Sequence, residues 1–398
     1  MRIMTSGESH GRALTGIIDG IPSNMPLAAD YIDAELRRRQ QGYGRGARMK
    51  IERDKAEILS GLRWGKTLGS PIAINITNRD WANWEKGMSA LPEDEGSISP
   101  VTKARPGHAD LSGAIKYGFR DLRNVLERSS ARETAVRVAL GAVCKALLGE
   151  FGVVIGSYVT RIGRAGVRLY DEVLNGGELV GNAGGYLLGL HGSAENSLVR
   201  CPDKDASQHM IEEIDAAKER GDTLGGIFEV FSLNLPVGLG SHTSWDKRLE
   251  GRLSQSVMGI QAVKGVEIGI GFEAGALYGS ELMDEIFYDA RNGFYRKTNR
   301  AGGIEGGMTN GMPLILRAAM KPIPTLRKPL TSVDIVTKEP FEAQYERSDV
   351  CAVPACCVIA ESVVAIVIAD AFRAKFGGDS LNEMKNNYEN YIKYTKEF

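Results

Sequence analysis

Between residues 129 and 152, SSARETAVRVALGAVCKALLGEFG, apolar residues return every third or fourth position. Val136, Leu140, Val143 and Leu147 fall on one face, which predicts a helix. Ser130 and Glu133 have capping-box spacing, and Gly152 offers a stop. A second helix is predicted over 354–378, PACCVIAESVVAIVIADAFRAKFGG, closing at Phe376-Gly377. Each follows an arginine-serine pair, Arg128-Ser129 and Arg347-Ser348. The pairing hints at internal duplication, although two such helices also resemble each other by chance. Further helices are predicted near 30–41, 208–219 and 246–259, the last from Leu249, Leu253 and Val257. Strand-like runs are SPIAINITN (70–78), GIFEVFSLNLP (226–236), AVKGVEIGIGF (262–272) and MPLILRAAM (312–320). Strands and helices mix without the steady βαβ alternation of a doubly wound sheet, so the predicted class is α+β in layers. No linker or clean boundary divides residues 1–398, which are expected to form a single domain.

Composition narrows the picture. The 398 residues are 43% apolar, enough for an extensive core. Forty-nine basic and 50 acidic residues leave a net charge of −1, so no whole-molecule field draws the chain onto nucleic acid or an anionic membrane. Anion recognition must be local. The start, MRIMTSGESH, lacks the apolar run of a secretory signal, and the apolar stretch 355–372 carries Glu361 and Asp370. A buried helix in a soluble, cytoplasmic protein is expected. Five cysteines, Cys144, Cys201, Cys351, Cys356 and Cys357, show neither a disulfide framework nor zinc spacing and are expected to be small buried thiols. Forty-eight glycines, clustered as in GGIEGGMTNG (302–311), exceed the needs of turns and allow close approach of backbone to a ligand. No G-x-G-x-x-G after a strand, Walker A, H-E-x-x-H or C-x-x-C motif occurs, which weakens Rossmann, P-loop and metal-hydrolase readings.

Several stretches can carry chemistry. SGESHG (6–11) sets Glu8, Ser9 and His10 between glycines. LRRRQQGYGRGARMKIER (36–53) gathers Arg39, Arg45, Arg48 and four other basic residues around a glycine-rich turn. By composition, a lid that closes on phosphate or carboxylate, a solvated basic loop and an RNA-binding segment are nearly level there. RPGHAD (105–110) presents His108 beside Arg105 and Asp110 on a Pro-Gly turn; a lone histidine is usually ordinary, and the arginine strengthens the functional reading. ERSSARET (127–134) sets Arg128 and Arg132 around two serines at a helix start, where unpaired N–H groups attract anions and also serve an ordinary cap. Lys321 in MKPIPTL (320–326) and Asp349 in ERSDVCAVPA (346–355) complete the set, an aspartate so placed being more often a cap than a catalyst. Arginine, histidine and glycine stations spread along the whole chain suit an enclosed site for a small, multiply charged anion.

Taken together these stations resemble one family, the chorismate synthases. The resemblance rests on GESHGRALTGIIDGIP (7–22), ERSSARETAVRVALGAV (127–143), RSDVCAVPACCVIAESV (347–363), RPGHAD, SVMGIQAVKGVEIG (256–269), NRAGGIEGGMTNG (299–311) and AAMKPIPTL (318–326). It spans nearly the full length and is weakest across 163–198. It implies a β-α-β sandwich with central helices between antiparallel sheets, and a homotetramer. It implies anti 1,4-elimination of phosphate from 5-enolpyruvylshikimate 3-phosphate to give chorismate, with reduced FMN and no net redox change. By the same resemblance His10 is a proton donor that keeps reduced flavin productive, His108 sits by the leaving phosphate, and Asp349 helps take up the substrate proton. Flavin contacts fall on Arg128, Ser129, Ser130, Gln261, Ala262, Gly306, Lys321, Pro322, Ile323, Pro324, Thr325 and Arg347. The trianionic substrate is expected to meet Arg39, Arg45, Arg48, Arg105, Arg132 and Arg347, and Arg39 and Arg45 match positions also assigned to NADPH. Whether the enzyme reduces its own FMN or relies on a separate flavin reductase is left open by the sequence.

Overall fold

Strands Arg2–Ser6, Ala13–Asp19, Ile72–Thr77 and Glu57–Ile58 hydrogen-bond in that order into an antiparallel sheet. A second antiparallel sheet runs Val263–Ile268, Leu314–Met320, Gly226–Leu233, Val154–Ile162 and the short edge Ala165–Gly166. The structure, a computed structural model, describes residues 1–46, 53–169, 174–175, 182–290, 293–328, 330–342 and 349–398. Setting the short edge aside, strands taken in chain order lie first-second-fourth-third in both sheets. After the fourth strand of each comes a long central helix, Thr134–Gly149 or Val353–Phe376.

These two helices pack on each other between the sheets, with Ala29–Gln40 and Leu249–Met258 beside them. Val136, Leu140, Val143 and Leu147 are all fully buried, as their spacing predicts. Glycine sets the spacing of the layers at two points. A Cβ on Gly16 would lie 2.5 Å from Val136, and one on Gly141 would lie 2.4 Å from Ser362, where the central helices cross. Val353–Phe376 is long and apolar enough to cross a membrane, yet 89% of its most apolar window is buried between the layers. It is apolar nearly all round because both of its faces are covered. The β-α-β sandwich is the architecture that the resemblance implies.

Boundaries differ from expectation where polar groups take over. Arg123–Ser129 is a separate helix, Ser130 is extended, Ala131–Glu133 forms a 3-10 turn, and only then does Thr134–Gly149 begin. The Ser130 hydroxyl accepts from Arg132 N (3.3 Å), but the expected capping box does not close. Glu133 turns instead to Arg137 (2.9 Å) and Thr5 (2.8 Å), because a charge-assisted pair outcompetes a lone backbone N–H. The helix expected over 208–219 begins earlier, at Lys204, where Asp203 accepts from Ala206 N (2.7 Å). That expected from 246 begins at Leu249, after a 3-10 turn over Trp245–Lys247. All five cysteines are unpaired and buried. The pair Arg347-Ser348 lies outside the described residues.

Candidate active site

Residues 7–12 are the loop joining the first two strands. Gly7 has φ 100°, and a Cβ there would lie 2.3 Å from Ala13 O, so only glycine lets the chain fold back this tightly. The Asn78 amide clamps the loop by donating to the carbonyls of Glu8 (3.1 Å) and Gly11 (2.6 Å). Glu8 supplies that backbone oxygen while its residue stays exposed. From the other side, Glu127 O accepts from Ser9 N (3.1 Å). The Glu127 carboxylate takes both His10 N (2.7 Å) and His10 Nδ1 (2.8 Å). The imidazole stacks on Trp84 with ring centroids 4.2 Å apart.

The 127–134 turn extends this surface. Arg128 donates to Gly7 O (3.0 Å) and Thr5 O (2.9 Å), and Ser130 Oγ donates to Ser9 Oγ (3.3 Å). Ser129 closes the short helix, its hydroxyl donating to Leu126 O (3.4 Å). Arg132 reaches Asn78 Oδ1 (3.0 Å) and Asp54 Oδ1 (2.6 Å). Arg39 reaches Thr134 Oγ1 (3.1 Å), Ala131 O (3.2 Å) and the second oxygen of Asp54 (3.4 Å). Burial lowers the Arg39 guanidinium to about 10; Asp54 opposes the shift, and Arg132 and Arg45 add to it. It stays a cation near neutrality. Arg45 pairs with Asp349 (3.0 Å), whose other oxygen accepts from Gly46 N (2.6 Å). Arg39 and Arg132, expected from sequence to meet substrate, thus contact Asp54 and backbone groups inside the protein, where they support the cluster from beneath. Arg48 and Arg347 lie outside the described residues.

A second group is built on the turn over residues 105–110. Arg105 forks onto Asp110 through Nε (2.8 Å) and Nη2 (3.1 Å), and His108 Nδ1 meets the same carboxylate at 2.5 Å. Burial raises the Asp110 carboxyl, but His108 and Arg105 outweigh it and hold the group well below the usual carboxylate range. Gly107 O accepts from Lys321 Nζ (2.6 Å), and a small cleft is lined by Arg105, Pro106, Pro324 and Thr325. Ile323 O accepts from Thr223 Oγ1 (2.7 Å), which anchors the Lys321-to-Thr325 segment, Pro322 included, at the end of its strand. Gln261 and Ala262 bridge the groups. Ala262 O accepts from Lys321 N (2.9 Å), while Gln261 Nε2 donates to Glu133 Oε2 (3.4 Å). Burial raises the Glu133 carboxyl, and Arg137, Thr5 and Gln261 together bring it below its ordinary value. Gly306 lies in the turn between Ile304–Glu305 and Met308–Thr309, where the O of the next residue, Gly307, accepts from Leu249 N (3.0 Å). Periodicity and motif reading missed Asn78, Asp54, Glu127 and Trp84. Only the last two have a local signal, a carboxylate opening ERSSARET and an aromatic in a polar stretch.

A family model for chorismate synthase matches residues 1–372. The chain belongs to the chorismate synthase family. It is 55% identical to the chorismate synthase of Aquifex aeolicus, over all of this chain and 99% of that protein. It is 53% identical to that of Geobacter sulfurreducens over the whole of both. A crystal structure of a chorismate synthase superposes with a TM-score of 0.80 at 46% identity, covering 100% of this chain and 98% of the other. Chorismate synthases are lyases that eliminate phosphate from 5-enolpyruvylshikimate 3-phosphate in anti 1,4 fashion to give chorismate, within aromatic amino acid biosynthesis, and this chain is an enzyme of that type. The family uses reduced FMN. The donor set fits such a group at one orphaned atom. Gln261 Oε1 is buried with no hydrogen-bond partner among the described residues, an acceptor of the kind that a ring N–H satisfies.

Proposed function

We propose that the two connected groups form the chorismate synthase active site of this chain, with the carboxylates and phosphate of substrate between Arg45 and Arg105. The observation that carries this is their continuity: His10, Ser130 and Arg128 on one side connect through Glu133, Gln261 and Ala262 to Lys321 and the His108 turn on the other. Opposite unit charges about 4 Å apart are worth ~4 kcal/mol at an effective dielectric of 20, so a few such contacts offset much of the desolvation of a trianion. His108, oriented by Asp110, protonates the departing phosphate. Asp349, held by Arg45 and Gly46 N, takes up the substrate proton. His10 is a proton donor toward the cofactor. Arg128, Ser129, Ser130, Gln261, Ala262 and Lys321 through Thr325 hold the flavin; Arg347 and Gly306 belong to the same assignment by resemblance. When bound, reduced FMN supplies transient electron density to the electron-deficient system left as the C–O bond breaks. By resemblance Arg45 and Arg48 are assigned to the substrate side of the site, with Arg39 and Arg132 behind them on Asp54 and NADPH as an external reductant.

On the same basis we assign the enzyme to the cytoplasm and to a homotetramer, and read residues 1–398 as one domain of two duplicated halves. The shared strand order of the sheets supports the duplication. Without oxygen, chemically reduced FMN plus substrate should release phosphate. Undiminished turnover with flavin omitted would overturn the proposal. Replacing the chemical reductant by NADPH in that assay separates an enzyme that reduces its own FMN from one served by a separate reductase.

A further inference from the structure

We infer that Glu127 is the positioning residue for His10: it keeps one proton on Nδ1 and so makes Nε2 the atom through which His10 gives and regains its mobile proton. The inference rests on the reading of His10 as the proton donor. Glu127 has a side chain only 1% exposed, and its two oxygens divide between two donors on one residue, the backbone N (2.7 Å) and ring Nδ1 (2.8 Å) of His10. A carboxylate can only accept, so Nδ1 must carry hydrogen in both the neutral and the cationic ring. Among the described residues Nε2 has no hydrogen-bond partner. Trp84 covers one face of the ring, 28° from parallel, and so restricts its rotation. Arg123 completes the support, 3.8 Å from Glu127 Oε1 and with its guanidinium carbon 5.1 Å above the Trp84 ring. A buried carboxylate thus holds the Nδ1 edge of the imidazole and an indole covers one face, both braced by the Arg123 guanidinium, while Nε2 is left without a partner among the described residues.

The consequence for substitution follows from counting donors. In Glu127→Gln the amide has one oxygen for two partners. The His10 backbone N–H is a donor in every state, so the oxygen stays with it and the amide NH2 faces Nδ1. Nδ1 must then be bare, and the proton of the neutral ring moves to Nε2. The same logic makes an aspartate-to-asparagine change behind a catalytic histidine costly without moving the ring.

The test is 15N solid-state NMR of histidine-labelled protein without ligands, with the His10 signal among five histidines assigned by its loss in His10→Ala. Wild type should show neutral His10 as the Nδ1–H tautomer, Glu127→Gln as the Nε2–H tautomer, and Glu127→Asp as wild type. In anaerobic turnover Glu127→Gln should lose about a hundredfold in kcat with substrate KM within about twofold, and Glu127→Asp should recover most of it. An Nε2–H tautomer in wild type, or an inverted tautomer with unchanged kcat, would overturn the inference. Normal turnover in His10→Ala would instead remove the reading of His10 itself. A full loss there beside normal turnover in Glu127→Gln would sink only the role of Glu127.

Discussion

Asp54 shows how much of this site is decided by single buried groups. It is 4% exposed and accepts from both Arg132 and Arg39, which are themselves buried. Removing the charge of one partner leaves the others uncompensated, a loss on the scale of 3 to about 5 kcal/mol. Asp54→Asn is therefore expected to lower the midpoint of chemical denaturation clearly, whereas replacing exposed Glu8 by Gln should leave it unmoved. His10→Ala should behave in the opposite way. Its ring is partly exposed and Glu127 keeps the His10 backbone N–H as a partner, so folding and FMN binding persist while turnover falls about a hundredfold or more. Equilibrium flavin titration beside anaerobic phosphate release measures the two effects separately. His10 and His108 were legible as candidates because a histidine beside glycine, proline or arginine is an unusual neighbourhood, whereas Asp349 reads as a helix cap and takes its role only from the family resemblance. The partners of His108 stand beside it in RPGHAD, but Glu127 lies 117 residues from His10, and opening ERSSARET does not pair it with that histidine.

At the scale of elements, the hydrophobic period located every helix and strand named from it, and polar side chains moved their ends. Ser130 is extended because its hydroxyl caps a 3-10 turn and also reaches Ser9, so what reads as one helix over 129–152 opens as that turn and becomes α-helical only at Thr134, with Arg123–Ser129 a separate helix before it. That break turns Arg128 toward Thr5 and Gly7 while Arg132 points to Asp54, so two arginines four apart serve different parts of the site. The central helix crossing depends on Gly141, whose hypothetical Cβ would lie 2.4 Å from Ser362 Cβ and 2.7 Å from its backbone. Gly141→Ala should overpack this crossing and destabilise by about 1–3 kcal/mol or more, read as a fall in the thermal midpoint. Helix propensity alone would predict the reverse, because alanine outranks glycine in a helix interior by ~1 kcal/mol.

Across the whole molecule, a buried ionic network ties distant parts of the chain together. Fully buried Glu361 on the Val353–Phe376 helix accepts from Arg38 (2.7 and 2.8 Å), Lys145 and Ser157, while Glu195 accepts from Arg38 and Arg200, each at 2.6 Å. Burial raises the Glu195 carboxyl, but hydrogen bonds from Arg38 and Arg200 bring it down to about 2 from an ordinary 4.5. Burial likewise raises Glu361, and Lys145, Arg38 and Arg200 hold it well below its ordinary value. A depressed folded value means that the stability Glu195 contributes is fully present above about 4.5 and lost as pH falls toward about 2, and Glu361 acts in the same direction. Denaturation measured at several pH values should steepen in its fall through that window. Glu195→Gln should flatten the fall there and lower stability at pH 7. The same network makes Arg38 structural, although it stands next to Arg39 in a run that composition leaves open between anion lid, solvated loop and RNA contact.

By itself the sequence determined the period of each element, the apolar faces that make a layered α+β core, the near-neutral charge and the ordered motifs that carry the family. These are local or additive properties, readable along a line. Only the tertiary structure decided which cation meets which anion: that Arg39 and Arg132 lie beneath the site on Asp54, that Arg38 closes the core on Glu361, and that Glu127 and Trp84 hold His10. Those pairings join residues tens to hundreds of positions apart, and a charge's role depends on its partner and its burial, neither of which exists until the chain has folded.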